Sequence, residues 1–114
     1  METLLINTLS TFNCPVIKQG SMNANEQYEE KFFTYWNNTS DDDAHYDNVA
    51  TSTIWDFDVN FYGTDPNVVY DTLIEAIELL RKAGFIISGK GYDVASDEVT
   101  HTGRGINALY IERN

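Results

Sequence analysis

Between Ser52 and Tyr62 the chain alternates with a period of two. Trp55, Phe57, Val59 and Phe61 stand on one side of an extended chain; Asp56, Asp58 and Asn60 stand on the other. That pattern predicts a strand with one dry and one wet face, ending at Gly63-Thr64. The period then becomes helical. Val69, Leu73, Ala76, Ile77 and Leu80 form one buried stripe, while Asp71, Glu75 and Glu78 face water. Asp65 is placed to cap this helix, Pro66 to open it and Gly84 to terminate it. Glu78 precedes Arg81 by three residues and Lys82 by four, a spacing that favours ion pairs, and the basic pair suits the negative end of the helix dipole.

Leu5, Ile6, Leu9 and Phe12 predict a second, shorter amphipathic helix over residues 2–12, ending near Asn13, since Pro15 forbids its continuation. "PVIKQG" reads as a brief strand closed by Gly20, and residues 21–30 as a polar loop. "KFFTYWN" is rich in strand formers. Phe33 and Tyr35 point one way and Phe32, Thr34 and Trp36 the other, so both faces need a cover, from helices or from a neighbouring subunit. Residues 37–51 read as a long polar loop, a kind usually functional or disordered. "FIISG" reads as a short strand, and residues 90–105 as a turn-rich connection with a strand stub at Glu98 to Thr100. "INALYIER" reads as the closing strand. The expected order is α-β-β-β-α-β-β: one α+β domain over residues 1–114, with two helices on one face of a single antiparallel sheet, a mixed sheet being the alternative.

The chain has 114 residues, of which 42% are hydrophobic and 13% aromatic, enough for a core without staples. Its 18 acids against 7 bases give a net charge of −11. That balance excludes a phosphate grip on nucleic acid and binding to an anionic membrane. Cys14 is the sole cysteine, so no internal disulfide or cysteine-rich zinc site is available, and it reads as a small hydrophobe. No basic region precedes the first apolar residues and no apolar run has membrane length, so synthesis and assembly in a cytoplasm are expected. The sequons at Asn37 and Asn38 carry no chemical meaning without a secretory route.

Candidate chemistry is thin. Asp41, Asp42 and Asp43, with His45 and Asp47 behind them, offer oxygen ligands, but adjacent aspartates cannot all converge on one ion as a calcium loop requires; they read as a solvated acidic segment. Asp56 and Asp58 lie roughly 7 Å apart on one strand face, without a basic or metal-binding partner to tune either. His45 and His101 match no zinc signature. Gly89-Lys90-Gly91 is too short for a phosphate loop and reads as a turn. Arg104, between two glycines, is placed either in a flexible turn or to reach a carboxylate on a partner. No constellation supports an enzyme, and no cofactor is expected.

Three phrases carry a resemblance: "QGSMNANEQYEEKFFTYWNN", "TIWDFDVNFYGTDPNVVYDTLIEAIELLRKAGF" and "GKGYDVASDEVTHTGRGINALYIER". Together they resemble the small tail completion proteins of long-tailed phages and prophages of Gram-positive bacteria, also called minor capsid or head–tail joining proteins. The resemblance covers residues 15–113. It implies a tail terminator in the virion: a ring, commonly of six subunits, that caps the tail tube and then docks to head connector proteins, on an α+β fold. It implies no individual functional residue. An acidic ring suits a channel through which DNA slides without being held. The expected contacts with neighbouring subunits are Phe32, Trp36, Asp41, Asp42, Asp43, His45, Tyr46 and Arg104.

Competing readings are a head-completion adaptor on the portal side, an acidic inhibitor or DNA mimic that binds a basic partner, and, last, a metal-dependent hydrolase built on the aspartates. Calorimetric titration with Ca²⁺, Mg²⁺ and Mn²⁺ should detect no site tighter than about millimolar, the weak end for carboxylate sites; a micromolar site would overturn the reading of Asp41 to Asp43 as an inert solvated segment.

Overall fold

The structure, a computed structural model, describes residues 1–19, 30–46, 49–96 and 100–113, the side chains of 39–46 and 49–51 excepted. Helix α1 (Glu2–Leu9) runs into a 3-10 turn (Ser10–Phe12) and strand β1 (Val16–Lys18). Strands β2 (Lys31–Tyr46) and β3 (Val49–Gly63) follow, then helix α2 (Pro66–Ala83), β4 (Tyr92–Val94) and β5 (Thr102–Arg113).

The helix ends form where their residues dictate. Asn13 takes the left-handed conformation at φ 58° and stops the first helical segment two residues before Pro15. At α2, the Asp65 carboxylate accepts the Asn67 backbone N–H at 2.9 Å, filling one of the orphan donors of the first turn. Gly84 supplies φ 109° at the other end, and the Phe85 N–H donates to the Leu80 carbonyl at 3.0 Å, turning the chain back toward the sheet. Arg81 does not serve the expected ion pair with Glu78. Its guanidinium donates to the carbonyls of Ile87 and Gly89 and so ties down the segment that leaves the helix.

The five strands form one sheet in the order β1-β2-β3-β5-β4. β1 runs parallel to β2 and the remaining pairs are antiparallel, so the sheet is mixed. A parallel neighbour needs a crossover of a dozen or so residues, and residues 19–30 provide that length. Most of the expected loop over 37–51 is instead paired backbone, residues 47 and 48 lying outside the described residues. β2 continues to Tyr46 and β3 starts at Val49, with register shifts after Asn37, Asp42 and Ala44. A ladder satisfies backbone groups whatever the side chains are, so a polar run is no obstacle to a strand once a partner lies beside it. The pairing of β3 with β5 stops at Ser52 and Arg113, while Val49 and Ala50 pair with β2. "FIISG" contributes only an Ile86–Leu109 bridge, and the short fourth strand lies at Tyr92–Val94, inside the segment expected to be turns. The expected stub at Glu98 to Thr100 falls mostly outside the described residues.

The core lies on one face of the sheet. Phe33 and Tyr35 of β2, Phe57, Val59 and Phe61 of β3, and Ile106 and Ala108 of β5 pack against Leu5 and Leu9 of α1 and against Val69, Leu73, Ala76, Ile77 and Leu80 of α2, the stripe expected from spacing. Phe33 anchors it, with ring centroids 4.5 Å from Phe61 and 5.6 Å from Phe12. Cys14 packs half-buried against this core, where burial pushes its thiol above the ordinary range and the Lys31 charge partly offsets the shift. Trp55 is only half-buried: it stacks flat on Phe57 at 6.2 Å, and its indole N–H donates to Glu112 at 3.1 Å.

Leu73→Ala should cost roughly 2–5 kcal/mol, the range for a fully buried leucine. Trp55→Ala should cost less than Leu73→Ala despite removing more atoms, because part of its ring already meets water. Urea unfolding of the two variants checks the order; a larger loss from Trp55→Ala would show that Trp55 belongs to the closed core.

Candidate interaction face

Strand pairing fixes what the other face of the sheet carries. Residues directly opposite each other share a face. The cross-strand rows on this face are Phe32–Tyr62–Gly103, Thr34–Asn60–Gly105 and Trp36–Asp58–Asn107, with Asp56 beside Leu109 and Ile54 beside Ile111 in the rows beyond. Tyr92 of β4 lies opposite Gly105, and Ile86 bridges to Leu109, so both join the same surface.

The rows differ in how they are covered. In the first, Phe32 is buried at 2% exposure: its ring stacks on Tyr62 at 5.3 Å and leans on His101 at 6.1 Å. Phe32 is therefore occupied within its own chain, a correction to its expected place among the contacts with a neighbour. Trp36, four residues on, is 45% exposed. With Tyr92 at 48%, Ile86 at 50% and Ile111 at 40%, it makes this face aromatic and aliphatic around a polar centre. The expectation of a simply wet face was incomplete. Asn107, Leu109 and Ile111 repeat at every second position, and that alternation in "INALYIER" was the available signal.

The polar centre is organised around Asn107. Its side-chain amide donates to the carboxylates of Asp56 and Asp58, and Asn38 donates to Asp56 at 3.3 Å. Tyr92 senses these charges: burial, then the negative fields of Asp58 and Asp56, raise its phenol above its ordinary pKa. The close approach of Tyr92 depends on glycine. The position that a Cβ of Gly105 would occupy lies 3.2 Å from the Tyr92 ring and against the Asn60 side-chain oxygen.

Arg104 proves to be an internal brace. It donates to the Asp93 carboxylate at 2.9 Å and to the Lys90 carbonyl at 3.1 Å, and its guanidinium lies 5.0 Å from the centre of the Tyr70 ring. It thus locks β4 and the preceding turn onto α2, and the expectation that it reaches a partner's carboxylate is corrected: its own chain supplies that carboxylate. Asp41, Asp42, Asp43, His45 and Tyr46 lie on the backbone of β2 in the far part of the β2–β3 ribbon, away from the helices, and their side chains fall outside the description. Among the described residues no three His, Cys, Asp or Glu side chains come together as metal ligands, and no helix is long and apolar enough to cross a membrane.

No protein-family model matches the chain, and no curated protein matches it.

Removing the two charges should move one observable in a known direction. In an Asp56→Asn plus Asp58→Asn variant, Tyr92 should titrate at lower pH than in the wild type while staying above the ordinary tyrosine value of about 10, because burial is the larger cause. The folded wild type holds this proton more tightly than the unfolded chain, so the stability tied to it is intact below pH about 10 and declines above. Ultraviolet titration of the phenols checks both; an unchanged Tyr92 pKa in the variant would show that its shift owes nothing to the carboxylates.

Proposed function

We propose that this chain is a structural subunit of a phage virion, one that forms a ring on the tail tube and joins the tail to the head connector. The observation that carries this reading is the one-sided closure of the sheet. Helices α1 and α2 seal one face, and Trp36, Tyr92, Ile86 and Ile111 stay exposed on the other. Large side chains clustered on an open sheet face mark a surface that meets another protein. The strand edges support lateral assembly. β1 pairs with β2 only from Phe33 to Tyr35, so the outer edge of β2 beyond Trp36 has no neighbour among the described strands. A free edge of that length is open to strand addition by an adjacent copy. The phrases quoted from the sequence resemble tail completion proteins, and an acidic subunit is suited to a channel that DNA must pass without sticking.

The second reading is an acidic inhibitor that grips a basic enzyme, and the charge of −11 favours it. Salt separates the two. Repulsion between like-charged subunits is screened over roughly 8–10 Å at physiological ionic strength, so ring assembly should strengthen as salt rises, whereas an inhibitor should lose its partner. Light scattering should find a species larger than the monomer at high salt or with tail-tube protein present. Trp36→Ala, and replacement of residues 39–47 by a short Gly/Ser linker, should each reduce it. A wild type that stays monomeric under all these conditions, or variants that still complete tails in a complementation assay, would overturn the assembly reading.

A further inference from the structure

Between the Ile86–Leu109 bridge and β4, the outer edge of β5 opens into a groove of about 180 Å³, lined by the turn 88–91 and by Asn107. Its donors come from the backbone. Arg81 holds the carbonyls of Ile87 and Gly89, and Arg104 holds that of Lys90. The peptide bonds of this turn are trans, and in a trans peptide the N–H points opposite to the C=O. The N–H groups of Ser88, Lys90 and Gly91 therefore point away from both guanidiniums, and all three residues line the groove. Ile86 exchanges both backbone bonds with Leu109, so the backbone groups of Leu109 face away from β3; two residues earlier, in an unbroken register, those of Asn107 face the same way. Among the described residues no acceptor takes any of these four N–H groups. Lys90 is the one charged residue in the lining among the described residues. Asp56 and Asp58 lie outside it, accepting from the Asn107 side chain on the open face.

We propose that this groove receives a carboxylate from the acidic segment 41–43 of a second copy of the chain. Converging backbone N–H groups beside an ammonium make an oxyanion site, and the volume, below the roughly 300–1,000 Å³ of a small-molecule site, suits one short acidic side chain. Charge complementarity points to the source: Asp41, Asp42 and Asp43 are three consecutive acids. They lie on β2, whose outer edge beyond Trp36 has no neighbour among the described strands. The groove opens at the opposite edge of the sheet, past β5. Contact between one edge of a copy and the opposite edge of the next is head-to-tail, the kind that closes into a ring rather than a dimer. The inference rests on the assembly reading and names one contact within it. One such contact per interface leaves the salt trend as stated, because a charge of −11 on each copy still repels its neighbour.

The probe is the end-capped peptide of residues 39–47, TSDDDAHYD, titrated into the full chain at physiological salt and followed by NMR. It should shift the amide signals of Ser88, Lys90, Gly91 and Asn107; the chain's overall field repels an acidic peptide, so binding there reports contact donors. The same peptide with asparagine at its three central aspartates should bind at least about tenfold more weakly, the worth of one charge-assisted hydrogen bond. Lys90→Gln should weaken the acidic peptide at least about threefold, the worth of a partly exposed ion pair. Lys31→Gln, on β2 at the other side of the sheet, should leave it within about twofold, since charges beyond a Debye length are screened. In the full chain, Asp41→Asn plus Asp42→Asn plus Asp43→Asn should weaken association at least about threefold although it removes three repelling charges. Asp71→Asn plus Glu75→Gln plus Glu78→Gln, which removes as many from α2, should not weaken it. Absent shifts, equal binding of the two peptides, or association that persists undiminished in both Lys90→Gln and the Asp41 to Asp43 variant would overturn this contact and leave the assembly reading standing. A wild type that stays monomeric at every salt and with tail-tube protein present would overturn the assembly reading itself, so the two failures are told apart.

Discussion

Everything in this fold follows from a shortage of cover. A five-stranded sheet has two faces, and the described residues hold two α-helices to put on them. Both go to the same side, where the Phe57–Val59–Phe61 row meets Leu73, Ala76 and Leu80. Burying each such side chain is worth roughly 1.5–3 kcal/mol, and one well-packed layer stabilises a domain of this size better than two half-covered ones. The consequence is a second face held in place by the ladder beneath it and left to meet something else.

That second face is built with care for a surface supposedly left over. Tyr62 closes over Phe32 at one end, so the sheet does not open directly into its aromatic residues. Arg104, reaching through to the helix side, fastens β4 by way of Asp93 and Lys90, and β4 is what carries Tyr92 onto the open face. Gly105 leaves the space that Tyr92 and Asn60 need. A side chain of β5 on the helix side therefore positions an aromatic on the open face. The acid content of the chain has a local meaning too: Asp56 and Asp58 are bridged by an amide rather than a cation, and Tyr92 feels their fields.

The sequence by itself determined those elements whose cause is local. α2 was legible from Asp65 to Gly84, because a capping carboxylate, a proline at the first position, a stripe of period 3.6 and a terminal glycine act within a few residues of one another. The helix over residues 2–12 and the dry face of β3 were legible for the same reason. Only the tertiary structure decided the rest. The acidic run from Asp41 to Asp43 is strand because β3 lies alongside it, and no side-chain period in the run reports that pairing. β1 is parallel because of where the chain returns, which depends on the crossover and not on the three residues of the strand. Phe32 and Trp36 share a face and a strand, yet one is buried and the other exposed, because Tyr62 and His101 arrive from distant segments to cover the first alone. Arg104 looked free because its partners, Asp93, Lys90 and Tyr70, lie eleven or more residues away. Contacts across such separations depend on how elements pack, and a single strand or helix carries no record of its neighbour.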